Sequence, residues 1–153
     1  MGIFARADPL TRTAFQATLH CFTGCAIGEV VGMAVATAMG WGNAQTIALS
    51  VVLAFVFGYA LTMRGLVAGG MAVRPALRIA LAADTVSVAT MEIVDNLLML
   101  VIPGAIDATL SEALFWGSLA LSLAIAFVAA FPVNRWMIAR GKGHAVAHAH
   151  HAH

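Results

Sequence analysis

The chain has 153 residues, 61% hydrophobic and 10% charged, with a net charge of +1 and a mean hydropathy of +0.92. A soluble domain is about 45–50% apolar and about 25% charged, so this composition excludes an ordinary water-soluble domain. No basic stretch interleaves with aromatics, which excludes a nucleic-acid surface.

Residues 1–13, MGIFARADPLTRT, lack a short apolar segment ending in a cleavage site. They read as a cytoplasmic segment, and the first helix as retained rather than as a signal peptide. Four apolar runs follow, each close to or beyond the roughly 20 residues that cross the hydrocarbon. Helices are expected over residues 14–39, 44–63, 76–102 and 113–133. The third follows Pro75, whose missing N–H suits a helix start; the fourth ends around Pro132. Residues 14–140 thus form an all-α, four-helix integral membrane bundle with no room for a second domain. Residues 141–153, GKGHAVAHAHHAH, have few bulky apolar side chains and read as a disordered His-rich cytoplasmic tail.

Charge placement orients the bundle. Arg6 and Arg12 precede the first run, Arg64, Arg74 and Arg78 separate the second from the third, and Arg135, Arg140 and Lys142 follow the fourth. The other two connections carry only Asp107 and Glu112. Basic residues are retained on the cytoplasmic side, so both termini are expected inside, in a bacterial inner membrane. Trp41 and Trp116 fall at the outer ends and Tyr59 and Trp136 at the inner ends, where amphipathic rings settle among headgroups.

Helix one carries two ridges of four-residue spacing, which stack along one face of a helix. Gly24, Gly28, Gly32, Ala36 and Gly40 form a small-residue ridge of the kind that lets helix backbones approach closely in lipid. It points to tight packing within the bundle or to a homo-oligomer through helix one. Beside it run Cys21, Cys25, Glu29 and Met33. Cysteine and methionine alone are ordinary apolar fillers, but an acid near mid-bilayer costs about 2.5–3.5 kcal/mol on insertion scales and should face protein or water. His20 points nearly opposite Glu29, and suits a hydrogen-bonded structural histidine or a ligand equally.

Helix three presents Asp84, Val88, Glu92 and Asn96 beside Ser87, Met91, Asp95 and Met99, one broad polar face. Counting inward from Gly40 and Pro103, Glu29 and Glu92 both lie 11 residues deep, about 16 Å at 1.5 Å per residue. Cys21 and Asp84 both lie 19 deep. If the two faces meet, carboxylates, thiols and thioethers form a column through the membrane. Four acids in a low-dielectric core hold protons, act as neutral hydrogen-bonding glue, or are balanced by cations. No arginine or lysine lies among them.

Carboxylates suit protons and hard ions, whereas Cys and Met select soft or borderline ions such as copper or zinc. Candidate metal ligands are His20, Cys21, Cys25, Glu29, Met33, Met91, Glu92, Asp95 and Met99. Candidate proton or ion relay residues are Asp84, Glu92, Asp95 and Asn96. His144, His148, His150, His151 and His153 in the tail are candidate loose metal ligands. Two Cys four apart on a helix are poorly placed for a disulfide.

The segments HCFTGCAIGE at 20–29 with Gly32, TMEIVDN at 90–96 and PVNRW at 132–136 resemble a bacterial membrane family catalogued as domain of unknown function 4396. The likeness runs from about residue 14 to 144. It implies a small multi-helix membrane protein and picks out His20, Cys21, Gly24, Cys25, Gly28, Glu29, Glu92, Asp95 and Asn96. It brings no established activity.

The leading expectation is a non-enzymatic membrane protein that binds or transports a transition metal, copper above others, as a homo-oligomer. Alternatives are a proton-coupled transporter or ion-channel subunit using the carboxylates, and a scaffold that docks another membrane protein. Thiol redox chemistry is weakest, because no haem or quinone constellation accompanies His20.

Overall fold

The computed structural model describes residues 8–140, which form α1 (Pro9–Ala38), α2 (Asn43–Ala68), α3 (Val73–Val101) and α4 (Ala113–Ala139), with no strand among the described residues. The helices alternate in direction. α1 packs against all three others, and α2 and α4 flank α3. One end of the bundle carries the 39–42 and 102–112 connections and is called the loop end. The opposite, terminal end carries the start of α1, the 69–72 connection and the close of α4.

All four helices outrun the expected ranges; α3 does so by starting at Val73, which puts Pro75 within its first turn and not before it, and the other three for local reasons. α1 starts at Pro9 because Asp8 caps it: Thr11 N donates to Asp8 Oδ1 at 2.7 Å, and proline occupies the first turn, where its missing N–H goes unnoticed. Those hydrogen bonds, with Arg135 adding a nearby positive charge, hold the Asp8 carboxyl below its ordinary value. α2 runs on to Ala68, which leaves Tyr59 well inside the helix, bonded to Thr85 Oγ1 at 2.7 Å, rather than at an end. α4 passes through Pro132 to Ala139. One backbone hydrogen bond is lost there, a loss that neighbouring helices offset in a bundle.

The small-residue ridge of α1 lies against α2. A Cβ added at Gly24 would come within 2.9 Å of the Gly58 backbone; one at Gly28 would strike the Ala54 backbone, and one at Gly32 the Ser50 side chain. The facing row Ser50, Ala54, Gly58 and Thr62 is equally small and equally buried. This face is filled by α2 within the chain, the first of the two expected uses of the ridge. Gly40 does not belong to the ridge. It follows the helix with φ +69° and has open space around it, so its role is the turn.

α1, α2 and α4 are long and apolar enough to cross a membrane. Large apolar side chains such as Val52, Ile93, Val101 and Val128 are exposed around the bundle, as a bilayer environment requires. α3 has 29 residues and turns Asp84, Glu92 and Asp95 inward while Ile93, Leu97 and Val101 on its opposite face are exposed.

Gly28→Ala should destabilise the detergent-solubilised protein by roughly 1–3 kcal/mol, because two backbones must separate to admit one methyl. Gly65→Ala, with open space at its Cβ, should change stability by no more than about 1 kcal/mol, towards gain. Thermal melting of the two variants checks the difference; equal melting points contradict the close contact.

Candidate functional site: a buried acid and thiol column between α1 and α3

With Gly24, Gly28 and Gly32 turned onto α2, the row one position further round α1 faces α3. Asp84, Ser87, Met91, Glu92 and Asp95 answer it from the buried side of α3, and Cys21 and Cys25 are fully buried between the two helices. The levels counted from the sequence hold. Cys21 Sγ donates to Asp84 Oδ1 at 3.9 Å, with Ser87 buried alongside. One turn on, the Cys25 thiol meets the Glu92 carboxyl. Glu92 in turn meets Glu29 across the helix pair, and Asp95 lies within electrostatic reach of Glu29. The two polar faces therefore join inside a single chain.

Hydrogen bonding within this column is incomplete. Asn96 Nδ2 donates to Glu92 Oε2 at 3.3 Å, but Glu92 Oε1, Glu29 Oε1 and both oxygens of Asp95 are buried with no hydrogen-bond partner among the described residues. Asp95 is only 1% exposed. The one salt bridge among the described residues joins Arg135 to Asp8 at 3.7 Å, on the surface at the terminal end. Among the described residues, no arginine or lysine is paired with Glu29, Glu92 or Asp95.

The column opens at the loop end. A small pocket of about 40 Å³, partly open to the surroundings, is lined by Glu29, Met33, Asn96 and Met99 together with Thr46, Ser50 and Phe115. Asn43 Nδ2 donates to Asp107 Oδ1 at 2.7 Å, tying the start of α2 to the α3–α4 connection beside this mouth. A shallower hollow between α2 and α3 reaches Glu92 from the side.

Other expected ligands are distributed less centrally. His20 Nε2 lies 2.9 Å from Thr62 Oγ1 of α2, a structural bond between helices. Met91 is buried in the apolar core beside the thiols, while Met33 and Met99 belong to the pocket. The five tail histidines fall outside the described residues. Among the described residues, no three of His, Cys, Asp and Glu converge as a metal-binding group. The donors meet in pairs.

Sequence reasoning passed over the partner row of α2 and the bond from Asn134 Nδ2 to Thr18 Oγ1, 2.9 Å long and fully buried. The α2 row shows the same four-residue spacing as the glycine ridge. Its signal was masked by the high average hydropathy of the helix.

A family profile described as a domain of unknown function, DUF4396, matches residues 11–143. The chain belongs to this family. The DUF4396 match takes in the α1 thiols and glycines, the α3 acids and the end of α4 alike. The chain matches no curated protein and no solved structure.

Both thiols should stay unreactive to a bulky maleimide in the folded protein and react once it is unfolded in SDS. A cysteine placed at the pocket by Thr46→Cys should react without unfolding. Rapid native labelling of Cys21 and Cys25 contradicts their burial.

Proposed function

We propose that this protein binds a soft transition-metal cation, copper(I) above others, and moves it along the column between α1 and α3. Three buried acids with unfilled oxygens and no protein cation carry the reading, since ionised carboxylates in a low-dielectric interior need an exchangeable positive partner. Thioethers at the mouth and thiols deeper in favour a soft ion. Glu29, Met33, Asn96 and Met99 would receive the ion; Glu92, Asp95 and Cys25 would hold it at mid-depth; Cys21 and Asp84 would pass it on. The bundle would sit in a bacterial inner membrane with the terminal end in the cytoplasm, in keeping with the arginines there.

A second reading, proton movement along the same acids, is favoured by their pairwise contacts, which suit hand-over of a proton. Metal analysis separates the two. Protein loaded with copper(I) under reducing conditions should retain about one equivalent per chain, and the Cys21→Ser, Cys25→Ser variant should lose most of it. Retention below roughly a tenth of an equivalent by the wild type contradicts the metal reading. Proton flux that survives the cysteine substitutions supports the second.

A further inference from the structure

The column has an open mouth at the loop end and a polar seal at the other. One turn below Cys21, Thr18 is 0% exposed and accepts from Asn134 Nδ2 of α4 at 2.9 Å. Thr18 Oγ1 itself donates to the Ala14 carbonyl, so its hydrogen atom is already committed. Asn134 is also 0% exposed, yet its Oδ1 has no hydrogen-bond partner among the described residues. A bare amide oxygen in a buried site is costly unless something occasionally occupies it. Ser122 Oγ, further up α4, is another buried oxygen without a partner.

Asn134 stands two residues past Pro132, in the segment PVNRW. Proline has no N–H, so the Val128 carbonyl is denied its usual donor and the helix is least restrained at that turn. Beyond it, two contacts hold the segment to the start of α1: Arg135 Nε donates to Thr11 Oγ1 at 3.3 Å, and Arg135 pairs with Asp8 at 3.7 Å. Both are exposed and weak. The last turns of α4 are fastened to α1 by this buried hydrogen bond, by Ile138 packed on Ala14 and Ala17, and by the surface clasp, just past the proline.

Resting on the cation reading above, we propose that the α4 segment beyond Pro132 is the gate at the terminal end of the path. The Thr18–Asn134 bond closes it, and Asn134 Oδ1 is the oxygen that a passing monovalent soft cation meets there. Swinging the segment about Pro132 breaks that bond and opens a way from Cys21 and Asp84 to the terminal face. The arrangement lets one end open while the other is shut, within one protomer.

Two measurements test the gate and the ligand separately. In a Cys25→Ser background, a small cationic methanethiosulfonate reagent should label Cys21 about tenfold faster in Thr18→Val and in Asn134→Leu than in the parent, because each removes one side of the seal. Labelling of a pocket cysteine, Thr46→Cys in a background lacking both native thiols, should not change with either substitution. Unchanged Cys21 labelling overturns the gate, and so does faster labelling at both ends, which reports general loosening. Silver(I), a stand-in for copper(I), should cross proteoliposomes containing Thr18→Val at least as fast as wild type, and those containing Asn134→Leu about tenfold slower. Equal flux through the two variants overturns the role of Asn134. Silver flux absent from the wild type overturns the transport reading itself, while the labelling result still decides whether the seal exists.

Discussion

The contact of the α1 backbone with the α2 backbone determines what every other face of α1 can do. Lipid supplies no hydrophobic force between helices, so association depends on close packing, and Gly24, Gly28 and Gly32 bring α1 almost onto Gly58, Ala54 and Ser50. Residues one position on are rotated by about 100° around the helix, which turns Cys25 and Glu29 towards α3. A single side chain larger than hydrogen at Gly28 would tilt or rotate α1. The acid pairs would then separate, since each relies on a level match between parallel helices.

That geometry concentrates negative groups where their charge is hardest to tolerate. Buried acids in such a setting hold either protons or a cation that takes the protons' place. Selection for stability alone would fill the space between α1 and α3 with leucine and serine. Under the proposed cation reading, the bare oxygens of Glu29, Glu92 and Asp95 are the stability cost of a site that binds and releases an ion. The neighbouring thiols and thioethers supply chemistry that a proton does not need. His20 lies away from this column, with Nε2 2.9 Å from Thr62 Oγ1 of α2.

Much of this was legible in the primary structure because the helical period is rigid. Four-residue spacing identified the glycine ridge and the adjacent thiol and acid row of α1, and counting from helix ends correctly matched Cys21 with Asp84 and Glu29 with Glu92. What stayed hidden concerned partners and ends. Spacing shows that a glycine ridge packs closely but not against which helix, so it leaves a neighbour in the bundle and a second protomer equally open and does not point to α2. Asp8 followed by Pro9 is a capping signal that reads as a loop until Thr11 is seen to donate to it. Pro132 reads as a stop because a lone helix would end there, whereas Thr18 and Asp8 on α1 supply contacts that carry α4 past it.

The charge balance of the three acids is open to direct observation by infrared difference spectroscopy of the purified protein on addition of silver(I). If an exchangeable cation balances these groups, carboxylic-acid absorption should fall and carboxylate absorption rise as the ion displaces protons, and the change should vanish in Glu29→Gln, Glu92→Gln, Asp95→Asn. A spectrum that shows silver(I) bound with no carboxyl change, or the same change in the substituted protein, contradicts it.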